Sequence, residues 1–131
     1  MDLDALVAPL RADVRGGAAE LAGSAVALFE AALAESAATD VEDFRAFLSR
    51  LAARTLEAQP SMAPLVTLAA TVLLAASGTA SVEEARAATR RALDRFRERI
   101  RSASREAAAR AEGLIPAGGR VLTVSSSSTV R

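Results

Sequence analysis

The closing stretch Gly118-Gly119-Arg120-Val121-Leu122-Thr123-Val124-Ser125-Ser126-Ser127-Ser128-Thr129-Val130-Arg131 decides how this chain is read. Helical periodicity gives way to a strand pattern there and nowhere else. The two glycines predict a turn, and residues 121–124 form a short β-branched apolar run that predicts a strand. Four serines and a threonine follow. A strand running into a Ser-rich loop is how many α/β domains begin a phosphate site. A lone strand has no ladder partner, so its backbone N–H and C=O groups would go unsatisfied. A βαβ unit needs a second strand roughly thirty residues further on. The expected organisation is a helical N-terminal domain over residues 1–114. Residues 115–131 would then be the first strand and Ser-rich loop of a Rossmann-like domain whose remainder lies beyond the chain. The fold class of the chain itself is all-α, a bundle of about five helices with a long last helix.

Working back from that strand, 131 residues suffice for one domain with a real core. The chain is 51% hydrophobic but only 3% aromatic, which means an Ala/Leu/Val core suited to closely packed helices. Tyr, Trp, His and Cys are absent, which excludes thiolate and imidazole chemistry and metal sites of the Cys/His type. No cofactor is expected. The net charge of zero favours neither nucleic acid nor an anionic membrane as a partner. All sixteen basic residues are arginine, and with so much alanine that usage indicates GC-rich, bacterial coding. The acidic start, with Asp2 and Asp4, lacks the basic n-region of a signal peptide, and a cytoplasmic chain is expected. The longest apolar run, residues 62–76, contains Pro64, Thr67 and Thr71 and falls short of the ~20 residues that span a bilayer.

The helices follow from spacing. Leu3, Leu6, Val7 and Leu10 predict a first helix from Asp2 to about Val14, with Pro9 kinking or splitting it. Arg15-Gly16-Gly17 breaks it. A second helix runs from Ala18 to about Ser36, with Leu21, Ala25, Leu28, Phe29 and Ala32 on one face. Gly23 inside it costs about 1 kcal/mol relative to alanine, which points to close approach of another helix. Thr39-Asp40-Val41-Glu42 reads as a capping box with Thr39 as the cap. The third helix buries Val41, Phe44, Phe47, Leu48, Leu51 and Thr55 and turns Arg45, Arg50 and Arg54 to solvent. Gln59-Pro60 ends it. Ser61 is the expected cap of a fourth helix, apolar nearly all round and therefore central and buried. Ser81-Val82-Glu83-Glu84 is a second capping box. It opens a helix to about Glu112 whose stripe is Val82, Ala85, Ala92, Phe96, Ile100, Ala103 and Ala107. At about 1.5 Å per residue that helix is roughly 45 Å long, longer than a small bundle, so part of it should lean on something else. Its arginines from Arg90 to Arg110 read either as an interaction patch or as a solvated face with Asp94–Glu98–Arg101 and Glu106–Arg110 as local pairs.

Three blocks in this order resemble a known family. Arg15-Gly16-Gly17-Ala18-Ala19 is similar to its Arg-Gly-Ala block. Gln59-Pro60-Ser61, followed by Leu65, is similar to its Arg-Pro-Thr block. Ile115, Gly118-Gly119 and the run from Val121 to Ser125 resemble its isoleucine-leucine-threonine-histidine strand, with Ser127 to Val130 as the Ser-rich tail. The family is that of the α, β and δ regulatory subunits of eukaryotic translation initiation factor 2B. Ribose-1,5-bisphosphate and methylthioribose-1-phosphate isomerases also belong to it. The resemblance implies a helical N-terminal domain, a Rossmann-like C-terminal domain with a sugar-phosphate pocket between them, and homo-oligomers formed mainly through the C-terminal domain. It also implies that the Arg-Gly-Ala block and the arginine of Arg-Pro-Thr hold phosphate and sugar hydroxyls. In the enzymes, a cysteine after the first strand and an aspartate in the later domain move the proton. Here Gln59 stands in place of that arginine, and Val124 and Ser125 stand where the isomerases have histidine and cysteine.

The candidate substrate-binding residues are accordingly Arg15, Gly16, Gly17, Gln59, Ser125, Ser126 and Ser127; no catalytic residue and no metal ligand is assigned. Arg15 offers a bidentate fork for phosphate, and Gly16-Gly17 lets the backbone approach closely and opens a helix N-terminus. The bland alternative is a solvent-facing arginine before a glycine hinge and a plain polar tail. A serine without a base is no nucleophile, so the chain by itself is expected to be inactive. Three functions remain open. The first is an initiation-factor-2B-like protein that binds a sugar phosphate or nucleotide without catalysis, or with altered specificity. The second is part of a sugar-1-phosphate aldose–ketose isomerase. The third is a helical protein-interaction module.

Overall fold

The structure is a computed structural model and describes residues 1–120 and 122. Five helices follow one another: α1 (Leu3–Ala12), α2 (Ala18–Glu35), α3 (Val41–Ala58), α4 (Ala63–Ser77) and α5 (Val82–Glu112). No strand occurs among the described residues. The expected strand over 121–124 and the Ser-rich loop lie outside them, apart from the exposed Leu122. The all-helical reading with a long last helix holds. Helix α4 packs on α2, α3 and α5, while α1 lies across α2 and α3. The core is aliphatic, as the composition requires, with Phe29 and Phe44 as its two fully enclosed rings. The buried hydroxyls of Thr55 and Thr89 bond back to the carbonyls of Leu51 and Ala85, so neither is orphaned.

Several local expectations change. Helix α1 is not split at Pro9. Pro9 and Ala5 both face solvent, so water can take the Ala5 carbonyl that the missing N–H leaves free. Gly23 is exposed, and a Cβ built on it meets nothing within 4 Å among the described residues, so no helix approaches it. The α3 cap is Asp40, not Thr39, and its carboxylate accepts from the Asp43 N–H at 2.9 Å. The α4 cap is Met62, not Ser61, with no side-chain bond to the first turn. Nor is α4 buried all round. Leu65, Leu68, Ala69, Val72 and Ala76 face the core, but Val66 and Leu74 remain 53% and 72% exposed, which leaves one apolar face open.

Arg45 is also not a solvent residue. Its guanidinium donates to the carbonyls of Ala76, Ser77 and Thr79, satisfying the last carbonyls of α4 from another helix. Arg86 does the same for α2, donating to Leu33, Ser36 and Ala38 while it stacks on Phe44 at 4.9 Å. Ser81 caps α5 as expected, with the Glu84 N–H donating to its hydroxyl, but the expected box is only half formed: the Glu84 carboxylate accepts from the Ala80 N–H rather than from that of Ser81. Along α5 the core face is Val82, Ala85, Thr89, Ala92, Leu93 and Phe96. Ala103 and Ala107 are exposed, and no residue of α5 beyond Phe96 is buried, so the second half of the helix runs past the bundle. Its ion pairs are Arg97 with Glu30 and Asp94, and Arg105 with Glu98, rather than the pairs expected from local spacing. After α5, the Gly119 N–H donates to the Pro116 carbonyl and Gly118 takes φ +75°, the left-handed position that such a turn asks of its third residue. No described helix is long and apolar enough to cross a membrane.

Candidate functional site

The site begins where α1 stops. Asp13 caps the end of α1, and its Oδ1 accepts from the N–H groups of Arg15 at 3.0 Å and Gly16 at 2.8 Å. This closes a tight turn of the kind aspartate favours. Gly16 gives this carboxylate room: a Cβ on it would lie 2.6 Å from Asp13 Oδ2, so any other residue would have to push aside the side chain that the two backbone bonds hold. Gly17 then caps α2 and donates its own N–H to Glu20 Oε2 at 2.9 Å. Three successive backbone N–H groups, at Arg15, Gly16 and Gly17, are thus each engaged by a carboxylate of the same chain. The N–H groups of Gly16 and then Arg15 hold the Asp13 carboxyl below the usual carboxylate range, against a small opposing effect of burial.

Gln59 comes to this turn from the far end of α3. Its Nε2 donates to the carbonyls of Leu10 and Asp13, both at 2.9 Å. It thereby ties the α3 C-terminus to the last turn of α1 and to the residue whose side chain shapes the Arg15–Gly16 turn. The structure therefore brings four of the expected site residues together: Arg15, Gly16, Gly17 and Gln59. Gln59 uses both amide hydrogens on backbone carbonyls, which leaves only its carbonyl oxygen to meet a ligand. Arg15 is exposed, and no acidic side chain among the described residues holds its guanidinium. Ser125, Ser126 and Ser127 lie outside the described residues.

Two shaping residues escape a reading that starts from the Arg-Gly-Gly block. Asp13 is marked by its position three residues before Gly16, the spacing of an Asp-initiated turn. Glu20 is marked by its place three residues into the helix from Gly17, the acidic position of a capping box. A shallow groove of about 460 Å³ adjoins the turn, lined by Ala19 and Glu20 from α2 and by Ile100, Arg101, Ser104 and Arg105 from the projecting half of α5.

The architecture defines a helical domain whose first interhelical turn is pinned from a distant helix and offers an exposed arginine, unpaired among the described residues. The chain belongs to the Initiation factor 2 subunit family, whose sequence profile matches residues 14–131. The match opens one residue before Arg15 and covers both the pinned turn and Gln59. No curated protein and no solved structure gives a match.

Proposed function

We propose that this chain is the helical portion of an initiation-factor-2B-like protein that binds a sugar phosphate or a nucleotide without catalysing its isomerisation, or with altered specificity. The observation that carries the reading is the convergence of Gln59 on the Arg15-Gly16-Gly17 turn. Two blocks that the family resemblance assigns to one ligand lie more than forty residues apart in sequence and meet here through Asp13. Arg15 is the charged donor of the site, and the glycines let a phosphate reach the backbone once Asp13 and Glu20 give way. The absence of His and Cys from the whole chain supports a binding role over proton transfer. On this reading Val121 to Val124 and the serines after them belong to the Rossmann-like half of the pocket, and the protein is a cytoplasmic homo-oligomer.

The experiment is a thermal melt with and without ribose-1,5-bisphosphate or a nucleoside monophosphate. A ligand bound only by the native state, at about a hundred times its Kd, adds about 2.7 kcal/mol, which for a domain of this size is roughly 8–10 °C. Arg15→Ala should abolish the shift. No shift with any phosphate ester would leave the interaction module, which the second half of α5, without a buried residue beyond Phe96, favours, as the better reading.

A further inference from the structure

We infer that α4 is an interaction surface for a second copy of this chain, the two α4 helices packing antiparallel about Ala70. The contact is distinct from the C-terminal-domain pairing that the family resemblance implies, and it does not rest on the ligand reading. Helix α4 carries no charged side chain. Its outward positions are Ala63, Val66, Thr67, Ala70, Leu74 and Ser77, with Val66 53% and Leu74 72% exposed. The hydroxyls on or beside this face are satisfied by the helix itself: Thr67 donates to the Ala63 carbonyl, Thr71 to that of Thr67 and Ser77 to that of Leu74. Covering the face therefore strands no polar side chain.

A second copy fits because the face is matched to itself. Val66 and Leu74 stand symmetrically one turn to either side of Ala70, and Ala63 and Ser77 symmetrically two turns away. A two-fold contact needs such a pattern, since residue i must meet residue j while j meets i. With the axis at Ala70, Val66 of one copy lies beside Leu74 of the other, and the small side chain at the crossing lets the helices approach. The flanking charges select the antiparallel arrangement. Arg86 and Arg97 turn one edge of α5 to α2. Positions 84, 88, 91 and 95 run along the opposite edge, on the side of α4. Helices α4 and α5 form a hairpin across residues 78–81, so Glu84 lies level with the end of α4 and Arg95 with its start. Among the described residues the ion pairs of α5 use Arg97 and Arg105, which leaves Arg91 and Arg95 without an acidic partner. Glu84 holds the Ala80 N–H but no cation. A two-fold axis across α4 brings Glu84 of each copy toward Arg95 of the other, whereas a parallel pair would set arginine against arginine. One helix face, about 22 Å long at about 1.5 Å per residue, covers less than the ~800 Å² per partner of a standard interface, so the pairing is weak.

The test is sedimentation velocity of the 131-residue chain. Between roughly 10 µM and 1 mM, the range suited to an interface below standard size, monomer should give way to dimer. Leu74→Glu should weaken the dimer roughly tenfold or more, because it buries a charge without a partner. It should leave the melting temperature of the monomer unchanged, since Leu74 is exposed. Leu114→Glu, 84% exposed but off the face, should dimerise as the wild type does. Arg95→Glu should weaken the dimer several-fold, and Arg101→Glu, exposed on the α2 edge of α5, should not. The chain has no cysteine, so single introduced thiols report the orientation. Val66→Cys mixed with Leu74→Cys should form disulfides with each other faster than either forms with itself. A chain that stays monomeric throughout the range overturns the inference, whatever else covers α4. So does a dimer that Leu74→Glu leaves intact, or a pair of thiol variants that link like to like. None of these results bears on ligand binding at the Arg15 turn, which the thermal melt tests separately.

Discussion

Gln59→Ala tests the organisation of the site directly. The side chain makes two hydrogen bonds to main-chain carbonyls, one at Leu10 and one at Asp13. Each is worth about 0.5–1.5 kcal/mol net, and a carbonyl left dry costs more. Because the pair is only partly buried, water should recover some of the loss, and the expected destabilisation is about 1–3 kcal/mol, or roughly 4–10 °C in melting temperature. The assay is urea denaturation followed by circular dichroism: the midpoint should fall while the slope stays constant, since the surface exposed on unfolding barely changes. Hydrogen exchange gives the local readout, with the Arg15 and Gly16 amides losing protection before the rest of α2. Gln59→Glu should be worse than alanine, because a carboxylate has no donor and would face two carbonyl oxygens. Gln59→Arg should be milder than either, since a guanidinium can make both bonds. A Gln59→Ala protein that unfolds at the wild-type urea concentration, with unchanged exchange at Arg15 and Gly16, would refute the claim that Gln59 pins the turn.

Two further outcomes follow from the same geometry. Gly23→Ala should stabilise the protein by about 0.5–1 kcal/mol, because the site is helical, exposed and open, and alanine removes only backbone freedom from the unfolded chain; a lower melting temperature would mean that something does pack there. Asp13 has a folded-state pKa below its unfolded value, so its contribution to stability is fully present above the unfolded pKa and is lost as the pH falls through the folded one. Acidification through the carboxylate range should therefore loosen the Arg15–Gly16 turn, and Asp13→Asn should remove that part of the acid sensitivity in an exchange-versus-pH series.

The helices were legible because each buries one face, and three- and four-residue spacing reports a face. What spacing does not report is where the neighbouring helix ends. Alanine suits both core and solvent, so the stripe on α5 continues through Ala103 and Ala107 after the bundle has stopped. Gly23 illustrates the same limit: its local cost is visible in sequence, but the face it occupies is not. The caps slipped by one position where two capping residues stand side by side, as at Thr39-Asp40. Where Ser61-Met62 precedes Pro64, the helix starts late enough to place the proline second in its first turn. The arginines were the least legible. Arg45 and Arg86 reach carbonyls at the ends of helices 31 to 53 residues away, and no local pattern marks such a partner. In the site, the break at Arg15-Gly16-Gly17 was readable as a turn, whereas its attachment to Gln59 depends on a contact between residues 46 positions apart.

The family resemblance puts an arginine where this chain has Gln59, and the structure gives that difference a physical meaning. An arginine carries five N–H donors. After two had bonded the carbonyls of Leu10 and Asp13, three would remain, with a full positive charge, beside the Arg15 turn. Glutamine keeps the two bonds that build the scaffold and has no donor left over. The turn thus retains its shape and loses one of its two charges, so among the described residues Arg15 is its only cation. A phosphate bound there must also displace the carboxylates of Asp13 and Glu20 from the three backbone N–H groups. A single guanidinium is a weak inducement for that exchange. Restoring charge at position 59 should offset that cost. Gln59→Arg should bind a sugar phosphate such as ribose 5-phosphate more tightly than the wild type, read by isothermal titration, and should keep the two carbonyl bonds that hold the turn. Equal affinity in the two proteins would show that position 59 does not face the ligand.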